Sequence, residues 1–193
     1  TVLTNRREPA LEGLLGALAS LRHRMPRLGE RVRVRLLGGE SRLIERVRAR
    51  GLEDVVRVEP GVPRARLAAE IARSHGALVL APGGARGPEP IPGKLFDAAG
   101  AARPVLVISE PGPLPSLVAR LGLGCTRAPG DLAGLAAELE AAAWRAARGA
   151  LAWPFAPEGA ARLASPQHME DLVHTCRGLL AARELPCPSA SAS

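Results

Sequence analysis

Ala77-Leu-Val-Leu-Ala81, then Pro82-Gly-Gly-Ala-Arg-Gly-Pro-Glu-Pro-Ile-Pro-Gly-Lys-Leu-Phe-Asp97, then Pro104-Val-Leu-Val-Ile108 is the stretch that decides the fold. It opens on a short, wholly apolar run between Gly76 and Pro82, the length of a buried strand rather than of a helix. A Pro/Gly-rich loop over 82–92 follows, then a helical run over about 92–102, then a second apolar run over 104–108. Apolar strands separated by one helix indicate a parallel sheet covered on both faces.

The same alternation extends in both directions. Upstream, 55–58 reads as a strand and 64–74 as a helix, while 32–37 alternates Val and Arg before turning apolar and breaking at Gly38-Gly39. The 40–50 segment reads as a helix ended by Gly51, 2–4 as a strand, and 9–21 as a helix with leucines at 11, 14, 15, 18 and 21. Downstream come a helix over 113–121, a short strand over 124–126 and an Ala-rich helix over 131–148. The expectation is an α/β three-layer sandwich with a mostly parallel sheet of about six strands over 1–150. A helical extension over 151–182 and a disordered Pro/Ser/Ala tail over 183–193 should follow.

Composition narrows the possible functions. The 193 residues suffice for one good-sized domain, and 47% hydrophobic residues suffice for a core. Aromatics make up only 2%, so Leu, Val, Ala and Ile must fill that core. No apolar run approaches the ~20 residues that span a bilayer. The start at Thr1, without Met and without the features of a signal peptide, is read as the beginning of a fragment of a longer chain. Cys125, Cys176 and Cys187 form no CxxC pair and leave one odd, which argues against a disulfide framework or a zinc site and for a reducing cytoplasm. Peripheral contact with the inner face of the membrane stays open as an alternative.

The formal charge is +7, yet among 26 basic residues the only lysine is Lys94. The arginines are scattered through Ala-, Gly- and Pro-rich sequence with no basic block and almost no aromatic platform, so nucleic acid is not the expected partner. His23, His75, His168 and His174 stand apart from one another and suggest no metal site.

Open parallel sheets bind ligands beyond the carboxyl ends of their strands. The candidate loops are therefore 5–7, 38–40, 59–63, 82–93 and 109–112. The loop after the 77–81 strand is the longest, and long loops in compact domains tend to be functional. Pro92 suits the first position of a helix, which would set the amides of Gly93, Lys94 and Leu95 in its first turn. A helix start binds phosphate, and Lys94 adds a full positive charge there. Asp97 shares a helix face with Gly93 and Lys94, and Glu89 precedes it in the loop; a carboxylate can accept two hydroxyls of a sugar diol. The plainer alternatives are a solvated Lys94, an Asp97 that merely complements the helix dipole, and a Glu89 free in its loop. A Walker loop does not fit: Pro88 stands where glycine is needed, and Leu95 where a hydroxyl is needed. The first strand-to-helix turn also lacks the glycines of a dinucleotide-binding fingerprint.

Several of these segments together resemble a family. Gly93-Lys-Leu-Phe-Asp-Ala-Ala-Gly-Ala-Ala-Arg-Pro-Val-Leu is similar to the "GKLFEYLAAGKPVL" segment of bacterial retaining glycosyltransferases of the group 1, or family 4, type. Leu37-Gly-Gly-Glu resembles their "VGDG" turn, Gly51-Leu-Glu-Asp-Val-Val-Arg-Val-Glu-Pro-Gly-Val-Pro their "LGLEDRVRFLGFVP", and Arg7-Glu-Pro their "RDP" start. The likeness runs from about residue 1 to 148. It implies the carboxy-terminal, Rossmann-like half of a GT-B fold, which binds a UDP-, GDP- or ADP-sugar without metal or further cofactor. The whole enzyme would transfer a hexose to a glycan or lipid-linked acceptor held by an amino-terminal domain. The resemblance implies Asp97 at the ribose and Glu89 at the donor sugar. It also implies Lys94 and Arg7 at the diphosphate, with the amides of Gly93 and Leu95 and the turn glycines Gly38 and Gly39 lining the site. Asp97 is one methylene shorter than the family's Glu, and Ala98 replaces its Tyr. The competing reading is a non-catalytic nucleotide-binding or regulatory α/β module.

Overall fold

A computed structural model describes residues 8–27, 31–38, 41–81 and 91–163. Seven helices and five strands lie within them. The helices are α1 (Glu8–Arg24), α2 (Ser41–Arg48), α3 (Arg64–Ala72), α4 (Gly93–Gly100), α5 (Pro113–Leu121), α6 (Leu132–Ala146) and α7 (Pro157–Leu163). The strands are β1 (Val34–Leu37), β2 (Val56–Glu59), β3 (Ala77–Leu80), β4 (Val105–Ile108) and β5 (Gly124–Arg127). The chain is α/β, and every strand pair is parallel.

The expected parallel α/β fold is present, but the described residues do not form one sheet of six strands. Among the described residues there are five strands, in a two-stranded sheet β1-β2 and a three-stranded sheet β3-β4-β5. The α3 crossover leaves the β1-β2 ladder and opens a separate one at β3, with Ala77 paired to Val105 and Leu80 to Ile108. The 2–4 segment, read as a strand, lies outside the described residues, as do 164–182 of the extension and the 183–193 tail.

The core forms on both sides of the three-stranded sheet because its residues alternate sides, as strand geometry requires. Leu78, Leu80, Leu106 and Ile108 join one apolar cluster with α1, α2 and α6. Ala77, Val79, Val105 and Val107 join another with α4, α5 and α7. All five leucines of α1 that set its helical spacing are fully buried in the first cluster. On β1 and β2 Val34, Leu36, Val56 and Val58 meet the first cluster, while the other side carries Arg35, Arg57 and Glu59 beside a half-buried Leu37. The segment after residue 150 packs into both, Ala152 and Trp153 into the first and Phe155, Ala160 and Leu163 into the second.

Local chemistry sets the helix ends. Asp131 caps α6, its carboxylate accepting from the Gly134 amide at 2.9 Å. Gly122 ends α5 in the left-handed conformation at φ 61°, which glycine adopts without a Cβ penalty. Arginines tie the layers together: Arg46 and Arg50 of the α2 region reach Glu12 of α1, and Arg103 donates to the Ala72 carbonyl at the end of α3.

Candidate functional site

Helix α4 starts at Gly93, one residue later than the sequence suggests. Pro92 is its N-cap, in an extended conformation at ψ 133°. Proline has no amide to donate, so the first turn begins with Gly93. The helix stops at Gly100 rather than near 102, because Ala101 and Ala102 form a turn in which Ala102 takes a positive φ of 51°. The buried stripe of α4 is Leu95, Ala98 and Ala99.

Gly93, Lys94, Leu95 and Asp97 are thus on one short helix that follows the C-terminal end of β3. Gly93 is exposed, and a Cβ built on it would meet nothing within 4 Å. No packing demand explains a glycine there, and the space beside it is open to a ligand. Lys94 and Asp97 are both half-buried and both engaged by another group. The Leu95 side chain is fully buried, and its amide donates to the Pro92 carbonyl at 2.9 Å, an internal partner that competes with any anion.

Gly38 follows β1 with a φ of 80°. Its amide donates to the Glu59 carbonyl at 2.9 Å, and its Cα lies 3.6 Å from where a Cβ on Gly61 would stand. The turns after β1 and β2 therefore approach each other at Gly38 and Gly61. Arg7, Gly39 and Glu89 lie outside the described residues.

Two features escaped sequence reasoning. Ile91 and Phe96, on either side of the α4 start, are exposed by 40% and 43%. Helical spacing carried the signal for Phe96, which falls off the Leu95–Ala98–Ala99 stripe. The second is a charged group on the outer side of β1-β2. There Arg35 donates to Glu59 at 2.7 Å and to Glu70 of α3 at 2.8 Å. These hydrogen bonds hold both carboxyls below the usual glutamate range and raise the guanidinium pKa further. The Val-Arg-Val-Arg alternation placed the arginines on one side, but nothing in the sequence paired them with Glu70.

At the far strand, Cys125 lies beside Glu138, and burial pushes its thiol up to about 11. That thiol stays protonated at neutral pH and is a poor nucleophile. Among the described residues no group of three His, Cys, Asp or Glu side chains is placed to hold a metal ion. Nor is any helix among them long and apolar enough to cross a membrane. Comparison with protein-family models, curated proteins and solved structures finds no match to this chain.

Proposed function

We propose that this chain binds a nucleoside-diphosphate sugar and acts as the donor half of a glycosyltransferase. One observation carries the reading. The Gly93-Lys-Leu-Phe-Asp segment opens a helix directly after the loop of a parallel strand, with a solvent-open glycine first and Lys94 and Asp97 one turn apart. A helix start beside a cation suits a diphosphate, and a carboxylate a turn further on suits a ribose diol. Chemistry at such a site is stabilisation of charge on the departing nucleoside diphosphate, an electrostatic task that needs no metal when cations and amides supply it. Retention of configuration, the hexose and the acceptor rest on the family resemblance.

The finer fold in this proposal is one doubly wound, Rossmann-like sheet in the order β2-β1-x-β3-β4-β5. Its support is that both ladders are parallel and border one cluster under α1. The 2–4 segment has the sequence for the central strand x.

Titration calorimetry with UDP and a UDP-sugar, and with the GDP and ADP pairs, tests the function. Asp97→Asn should weaken nucleotide and sugar nucleotide alike by roughly five- to 150-fold, the value of one lost hydrogen bond to a charged group. Glu89→Gln should weaken only the sugar nucleotide, and Lys94→Ala should weaken both with a loss that shrinks at high salt. If no pair binds the parent protein, or Asp97→Asn binds both ligands like the parent, the reading fails.

A further inference from the structure

The outer side of β1-β2 is the part of the molecule least like the interior of a parallel sheet. Arg33, Arg35 and Arg57 are all exposed there. Arg33 and Arg35 alternate with buried Val34, and the ladder register sets Arg35 directly across from Arg57. Like charges facing each other across a ladder are destabilising. Two exposed arginines of the α3 region, Arg66 and Arg73, extend the group, since both act on the charge of Glu70. Arg33 and Arg57 act in the same way on Glu59. Arg33, Arg35, Arg57, Arg66 and Arg73 thus all lie close enough to act on Glu59 or Glu70, so positive charge predominates around the two carboxylates. Arg35 holds both carboxylates, and Arg73 shares Glu70 at 3.4 Å.

We propose that this face docks on an anionic bilayer surface, with Arg33, Arg57 and Arg66 meeting lipid headgroups. The chemistry of the face selects that partner. A protein interface is built around an apolar, aromatic-rich centre, and here charge fills the centre. A single-stranded nucleic acid needs aromatic platforms. The described aromatics are elsewhere: Phe96 on α4, Trp144 on α6, and Trp153 and Phe155 packed into the two clusters. A plane of headgroups asks only for a plane of positive charge, worth about a fivefold gain in partition per basic residue near the surface. The docking is independent of the sugar-nucleotide reading and is measured without nucleotide.

The test is co-sedimentation of the full chain with vesicles of phosphatidylcholine alone or with about 30 mol% phosphatidylglycerol, at low and at physiological salt. The chain should partition onto the anionic vesicles only, and less so at higher salt. The double variant Arg33→Gln/Arg57→Gln should lower that partition roughly thirty-fold, and Arg66→Gln alone about fivefold. Arg120→Gln/Arg162→Gln, which removes the same charge from α5 and α7, should change it by less than about twofold. Circular dichroism checks that each variant is folded, and Arg66→Gln decides the matter if the double variant is not. Failure to bind anionic vesicles, or equal losses in the two double variants, overturns the proposal. So does tighter binding of a single-stranded oligonucleotide through Arg33 and Arg57.

Discussion

The two strand ladders among the described residues are made of similar parallel strands and live in different surroundings. Every residue of β4 is buried, with Leu106 and Ile108 on one cluster and Val105 and Val107 on the other. In β1 and β2 only the first residue is buried, and the second, Arg35 or Arg57, is exposed. A sheet side needs apolar residues only where something apolar lies over it. Helices α4, α5 and α7 cover that side of β3-β4-β5, whereas over β1-β2 it meets Glu70 of α3 instead. The cost of a charge is therefore set by the cover, since a charge without a partner is expensive only where water is excluded.

Exchanging residue types between the sheets gives the largest test of this contrast. Val107→Arg buries a guanidinium between β4 and the α4–α5 layer and should cost more than about 4 kcal/mol, enough to unfold a domain of ordinary stability. The reverse change, Arg57→Val, should alter stability by less than about 0.5 kcal/mol. Urea denaturation of both variants measures the asymmetry, and similar losses in the two would mean that the sides do not differ as described.

Two glycines sharpen the contrast at intermediate size. A Cβ on Gly76, just before β3, would stand 2.6 Å from the Trp153 ring, so Gly76→Ala should cost about 1–3 kcal/mol through overpacking. Trp153 is buried in the first cluster, so displacing its ring would disturb that packing. A Cβ on Gly61, just after β2, finds its nearest neighbour at 3.6 Å, so Gly61→Ala should fall within about 0.5 kcal/mol of the parent. Thermal melts that rank the two in the opposite order would contradict the packing around Trp153.

The smallest effect belongs to the charges themselves. Glu59 and Glu70 have depressed pKa values because Arg35 hydrogen-bonds to both. A carboxyl with a lowered folded pKa contributes stability that is full above its unfolded value near 4.5. That contribution is lost as pH falls through the folded value. Arg35→Met should therefore be slightly less stable than the parent at neutral pH, with the gap closing as pH falls below the unfolded value near 4.5 and through the lowered folded values. Arg35 is exposed and both glutamates are only half-buried, so solvent screens the trio; the gap should be smaller than the loss in Gly76→Ala and should narrow in salt. A gap unchanged at acid pH would show that Arg35 acts through the packing of its aliphatic stem.

Much of the architecture was legible in residue patterns. The 3.6-residue spacing of leucines in α1, the all-apolar runs at β3 and β4, and the Gly and Pro breaks located the described elements to within a few residues. In the candidate site, the pattern put Gly93, Lys94 and Asp97 on one helix start, where α4 has them. It did not show that the Leu95 amide turns back to Pro92, because that depends on how tightly the first turn closes. Arg7, Gly39 and Glu89 belong to segments outside the described residues, so their assignments rest on the sequence reading and the resemblance.

What the sequence determined by itself is local: which segments form strands and helices, and which residues share a side of each. Backbone geometry enforces those periods, so a one-dimensional pattern suffices to read them. What only the tertiary structure decided is which sides meet. It split the strands into ladders of two and three, buried Trp153 against Gly76, and set Arg35 between Glu59 and a glutamate from α3. Such pairings join residues distant in the chain, and burial and charge choose among them only once all the layers are packed.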